Sequence, residues 1–105
     1  MNNIIEILDE EGEVLKRYKV PKGSVGFEGA NLEGALLHGA QLNDANFRNA
    51  DLYWVNFFMA NLSHANFEGA SLQGGDLKEA NCQSANFKKA NLGRDNLNGT
   101  TQLQN

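Results

Sequence analysis

From residue 25 to residue 99 the chain repeats its apolar and polar positions with a period of five. A large apolar side chain stands at Phe27, Leu32, Leu37, Leu42, Phe47 and Leu52, then at Phe57, Leu62, Phe67, Leu72, Leu77, Cys82, Phe87, Leu92 and Leu97. Two residues before each comes a small one, Ala in most units, with Val25, Val55, Gly75 and Asp95 as departures. Asn or Asp usually fills the place between, and two variable positions complete the unit. Fifteen consecutive hits leave little room for chance. A period of five is neither the 3.6 of a helix nor the 2 of a plain strand, so each unit must turn a corner and the chain must coil.

This A-(N/D)-L-x-x pattern over residues 25–99 resembles the pentapeptide repeat family. The resemblance implies an all-β fold, a right-handed quadrilateral β-helix with four pentapeptides per coil and the large and small apolar residues facing inward. A bacterial source suits it. Four units per coil would stack residues twenty apart at one strand spacing, and the sequence supports this. Phe27, Phe47, Phe67 and Phe87 fall in one column, and Leu32, Leu52, Leu72 and Leu92 in the next. Leu37, Phe57, Leu77 and Leu97 form a third, and Leu42, Leu62 and Cys82 a fourth. The repeats thus make about four coils. Outside the Phe column, Glu28, Arg48, Glu68 and Lys88 alternate in charge, an arrangement that reinforces register by about 0.2–1 kcal/mol per pair.

Gly ends the unit at 29, 34, 39, 69, 74 and 99, where a type II turn with positive φ suits it. In the second coil the same places carry Asn49, Trp54 and Met59. Positive φ is costly for the last two and merely tolerable for Asn. A different turn type is expected there.

Residues 1–24 lie outside the repeat. Asn3 to Leu8 and Glu13 to Val20 are rich in Ile, Val, Leu and Tyr, and Asp9-Glu10-Glu11-Gly12 between them is a turn signal, so a β-hairpin is expected. A lone hairpin is marginal in water, so it should pack on the first coil as an N-terminal cap, with Pro21 to Ser24 as connector. Residues 100–105 form a short polar tail in which Gln102 takes the place of a large apolar residue. Phe87, Leu92 and Leu97 therefore line a last coil without a clear cover, and a homodimer joined through that C-terminal coil is expected.

Charge and composition narrow the function without naming it. The net charge is −4, with 9 basic and 13 acidic residues, which argues against direct nucleic-acid binding through a basic face. The N-terminal residues lack a basic segment ahead of an apolar stretch, so no signal peptide is expected, and no apolar run approaches bilayer-spanning length. The single Cys82 excludes an internal disulfide. A cytoplasmic protein without membrane attachment is the expectation.

Candidate chemistry is sparse. Asp44, His64 and Ser84 share one outer edge at a spacing of twenty, but a convex wall supplies neither a cleft nor an oxyanion hole, so a non-enzyme is expected. His38 and His64 fall on different sides without further ligands at metal spacing, and no cofactor is expected. Cys82 falls in an inner column, where a thiol acts as a small hydrophobe.

The informative departure is Tyr53, Trp54, Phe58 and Met59, all at outward positions, with Leu36 one layer away on the same side. Such patches mark interaction sites. Two coverings fit the sequence: the hairpin, through Ile5, Ile7, Leu15 or Tyr18, or a partner protein. The first functional reading is therefore a non-catalytic protein-interaction or scaffold module. A second follows from the resemblance, since the fluoroquinolone-resistance members of the family mimic DNA and bind type II topoisomerase (gyrase). Four coils make a rod of roughly 19 Å, and duplex DNA of that length carries about eleven charges. Residues 25–99 hold eight acids against five bases, a net of −3, which is a poor mimic.

Overall fold

The structure, a computed structural model, describes residues 2–23 and 26–93. Val25, Leu97 and the tail from residue 100 lie outside the described residues. Two strands, β1 (Asn2–Leu8) and β2 (Val14–Pro21), pair antiparallel with Ile5 opposite Tyr18 and a bulge between Ile7 and Leu8. Asp9 closes the connection: its Oδ1 accepts from the N–H groups of Glu11 and Glu13 at 2.9 and 3.0 Å, and Gly12 supplies a φ of 82°.

Residues 26–93 are a stack of coils. Parallel bridges join Asn31, Asp51, Ser71 and Asn91 on one side, and Leu36, Asn56 and Asp76 on the next. Gln41, Asn61 and Asn81 are joined on the third, and Asn46, Asn66 and Asn86 on the fourth. Every step is twenty residues, so each coil has four five-residue sides. Each side is held by backbone bonds from one coil to the next, such as Leu32 N–H to Asp51 O at 2.8 Å and Asp51 N–H to Ala30 O at 2.9 Å. The Asn/Asp preference has a local cause as well. Its Oδ1 accepts from the N–H two residues on, as Asn66 does from Glu68 at 3.0 Å and Asp76 from Lys78 at 2.9 Å. That bond holds the strand's exit into the corner.

The interior is a set of stacked side chains. Phe27, Phe47, Phe67 and Phe87 stack with centroids 5.2, 5.0 and 4.9 Å apart and nearly parallel planes. Phe57 from another column meets Phe47 and Phe67 edge-on. Leu32, Leu52, Leu62, Leu72, Leu77 and Cys82 fill the rest and are buried. Two of the departures among the small residues, Val55 and Gly75, compensate each other across one layer. A Cβ on Gly75 would lie 3.1 Å from Val55 Cγ1, so the larger Val55 uses the space that Gly75 leaves.

The turn-type expectation at Asn49, Trp54 and Met59 is corrected. These residues have φ of 58°, 61° and 60°, the same positive-φ corner that Gly29, Gly34 and Gly39 adopt at 68–72°. The reason is that each corner serves two hydrogen bonds. Trp54 N–H donates to Gln73 O at 3.0 Å, and Val55 N–H closes the turn on Leu52 O at 3.2 Å. Met59 and Ala60 do the same with Lys78 O and Phe57 O. A left-handed residue costs about 1–2 kcal/mol. A type I turn would keep the bond that closes the corner but would flip the central peptide and turn the Trp54 N–H away from Gln73 O, at about 0.5–1.5 kcal/mol and at the cost of the register with the coil below.

The hairpin lies against the first coil. Gln41 N–H donates to Leu8 O at 2.8 Å, Ile7 and Val20 join the buried core, and Tyr18 meets Phe27 edge-on with centroids 6.2 Å apart. Burial there raises the pKa of the Tyr18 phenol. Ile5 and Leu15 pack on the same core.

Candidate interaction surface

One side of the stack runs from the corner at Trp54 to the corner at Met59. Positive φ at both corners throws the side chains outward, and Trp54 is 68% exposed and Met59 52%. Leu36, one layer above Asn56 in the parallel ladder, is 64% exposed. Tyr53 and Phe58 are half-buried. Structure and sequence therefore agree on which large side chains point out here.

The hairpin is not their cover. Ile5, Ile7, Leu15 and Tyr18 are committed to the core of the first coil, and Trp54 remains open. The indole rests instead on the coil below. A Cβ on Gly74 would fall 2.5–2.7 Å from its Cε3, Cδ2 and Cζ3 atoms, so only Gly leaves the ring a flat seat. Beside it, Gln73 Nε2 donates to Tyr53 Oη at 3.2 Å, while Gln73 Oε1 is buried without a partner among the described residues. A half-turn of the amide would let Tyr53 donate to Oε1, so the pair holds in either sense. The sequence marked Gly74 only as a corner glycine and did not single out Gln73, although their offset of twenty from Trp54 and Tyr53 was the available signal.

An open cleft of about 410 Å³ lies beside Met59, bounded by Glu10 of the hairpin turn, by Glu79 and by the amides of Gln41, Asn61 and Asn81. It was invisible in the sequence because it depends on where the hairpin turn comes down. On another side Arg48 reaches Glu28 at 2.9 Å and Glu68 at 3.8 Å, so the alternating charges do pair there.

The remaining candidates are placed as follows. Asp44, His64 and Ser84 are exposed corner residues with φ of 64°, 60° and 60°, and Asp44 Oδ2 accepts from Asn43 Nδ2 at 3.3 Å. They line a convex edge. Among the described residues no group of three His, Cys, Asp or Glu is placed to hold a metal ion, and no helix is long and apolar enough to cross a membrane. Cys82 is buried, and desolvation pushes its thiol up to about 12. Phe87 and Leu92 are half-buried against the end of the core; Leu97 lies outside the described residues.

Twenty-residue ladders, positive-φ corners and stacked inner columns define a β-helical solenoid. The chain belongs to the pentapeptide repeat family: a family model described as a pentapeptide repeat region matches residues 23–97. Among solved structures it is similar to the pentapeptide repeat protein Rfr23 from the cyanobacterium Cyanothece 51142. That match has 25% identity and a TM-score of 0.54, over 72% of this chain and 54% of that one. The chain thus spans about half the length of Rfr23. It is also similar to HetL of Nostoc sp. strain PCC 7120, a pentapeptide repeat protein involved in heterocyst differentiation regulation. There the identity is 32%, the TM-score 0.44, and the coverage 62% of this chain and 35% of HetL. A third similar structure is a pentapeptide repeat protein of the Arabidopsis thaliana thylakoid lumen, at 26% identity and TM-score 0.41, over 63% and 57% of the two chains. A comparison with curated proteins finds no match.

Proposed function

We propose that this chain is a non-catalytic, cytoplasmic protein-interaction module. In this reading it is a right-handed quadrilateral solenoid of about four coils whose N-terminal hairpin acts as its cap. The wall between Trp54 and Met59 is the contact surface. The observation that carries the reading is the exposure of Leu36, Trp54 and Met59 on one side of a rigid stack, where large apolar side chains gain nothing from folding. The final coil, with Phe87, Leu92 and Leu97, is a second contact surface, through which the chain forms a homodimer. Loss of that dimer in Leu97→Lys would test it.

Capture of a protein from the native host by the parent chain, with at least tenfold weaker capture by Trp54→Asn, supports the reading. Equal capture by both sinks it. The topoisomerase-directed DNA mimic is disfavoured by Arg48, which neutralises Glu28 and Glu68 on one wall and interrupts any continuous run of negative charge. Inhibition of gyrase supercoiling by stoichiometric protein would restore that alternative.

A further inference from the structure

We infer that the Trp54–Met59 wall docks a second copy of this chain, with the two solenoids side by side and their axes parallel. The inference rests on the reading of this wall as an interaction surface and names its occupant. The wall has three layers with a fixed order from edge to edge. The upper layer presents Leu36 and His38, the middle one Trp54, Phe58 and Met59, and the lower one Asp76, Lys78 and the corner residue Glu79.

A two-fold axis parallel to the stack, along the midline of the wall, leaves each layer opposite itself and exchanges its edges. Trp54 then faces Met59 of the second copy, and Met59 faces its Trp54, so a polarizable thioether meets an indole twice. One layer below, Asp76 faces Lys78 of the second copy, again twice. One layer above, Leu36 faces the His38 ring. The inner positions of each layer are self-complementary, as a two-fold interface requires, and Glu79 falls at the rim opposite Gly74 of the second copy.

The antiparallel alternative fails on the same residues. Turning the second copy end over end would set Trp54 on Trp54, but it would put Leu36 against Asp76 and His38 against Lys78. That buries a carboxylate on an apolar side chain and parts Asp76 from Lys78. Gly34, above Trp54 at the same corner, carries no side chain, and Trp54 is 68% exposed, so the indole is open to an incoming side chain. Both contact residues also sit at φ near 60°, where Asn or Gly would be less strained. Trp and Met thus occupy these corners at a cost to folding, as residues kept for function do.

A wall of three layers, each about 4.8 Å deep, buries less than the roughly 800 Å² per partner of a standard complex. Association should therefore be weak and visible only at high concentration. Sedimentation equilibrium of Leu97→Lys, which removes the C-terminal contact, between about 10 µM and about 1 mM should show a monomer–dimer equilibrium, with the Trp emission shifting to the blue as dimer forms. Trp54→Asn should weaken dimerisation at least tenfold while keeping its thermal midpoint, because Asn49 already occupies an equivalent corner at φ 58°. A mixture of Leu36→Cys and His38→Cys chains should form the mixed disulfide faster than either forms its own. A monomer throughout this range overturns the inference, and the capture experiment then decides the interaction reading separately. In the same Leu97→Lys background, association no weaker with Trp54→Asn than without it also overturns the inference, since that contact must use another surface.

Discussion

The inside of each coil and its corners obey different rules, although both recur every five residues. Inside, packing selects the side chain. The Phe column stacks at about 5 Å because residues twenty apart lie one strand spacing apart, and a ring is the side chain that fills such a column without a gap. At the corners, hydrogen bonding selects the backbone and leaves the side chain nearly free. Gly, Asp, Asn, Trp, Met, His, Glu, Ser and Lys all adopt positive φ there. The inside therefore encodes the fold, and the corners are where the fold has room to carry function.

Replacing a member of the inner column should have the largest effect. Phe67 is fully buried between Phe47 and Phe87 and meets Phe57 edge-on. Phe67→Ala should destabilise the chain by about 3–5 kcal/mol, the range for truncating a buried aromatic. A loss below about 1 kcal/mol in chemical denaturation would mean that packing inside the coil is not selective and would break the comparison.

Next comes the place where the two rules meet. Gly74 is a corner residue at φ 75° whose missing Cβ makes room for the Trp54 ring. Gly74→Ala combines the strain of positive φ with a collision against the indole, and should cost about 1–3 kcal/mol. Placing the same Ala in Trp54→Asn should remove part of that cost, because the collision has gone and the strain remains. Equal costs in both backgrounds would show that the indole does not rest on Gly74 in solution.

What could be read beforehand divides along the same line. The five-residue period and the segregation of Phe and Leu at twenty residues were plain in the inner columns, because burial leaves few acceptable side chains. The exposure of Trp54 and Met59 followed from register alone. The turn type at those corners did not, because residue preference pointed away from positive φ while the ladder bonds to Gln73 O and Lys78 O enforced it. The cleft between Glu10 and Met59 was out of reach, since it joins residues that only the seating of the hairpin brings together.

Cys82 offers a smaller test of the inside. Its thiol is pushed from a value near 9 to about 12 by desolvation. The folded chain therefore keeps the thiol protonated while the unfolded chain ionises it above about pH 9. The unfolded state loses protons first, so stability falls as pH rises from there towards 12, by about 1 kcal/mol at pH 10. Lys and Tyr titrate in the same range, so the comparison is with Cys82→Ala. The variant should be less stable at neutral pH and show a flatter decline between pH 9 and 10. Identical slopes would place the thiol in water.

The smallest expected effect has the opposite sign. Met59 holds φ 60° at a corner where its side chain is half-exposed. A bulky residue in the left-handed region costs about 1–2 kcal/mol, and Asn tolerates it through local hydrogen bonding of its short side chain. Met59→Asn should recover part of that cost, offset by whatever apolar contact Met59 makes with Ala60 and the cleft, for a net stabilisation of about 0.5–1 kcal/mol. The measurement belongs at low micromolar concentration, where the second copy is absent and only folding within one chain is read. Truncation inside the coil is expected to destabilise and replacement at the corner to stabilise, within the same repeat and two residues apart, as Phe57→Ala against Met59→Asn would show. A corner substitution that destabilised by more than about 1 kcal/mol would mean that Met59 contributes to the fold itself, and the corners would then lose their claim to be the free positions of the solenoid.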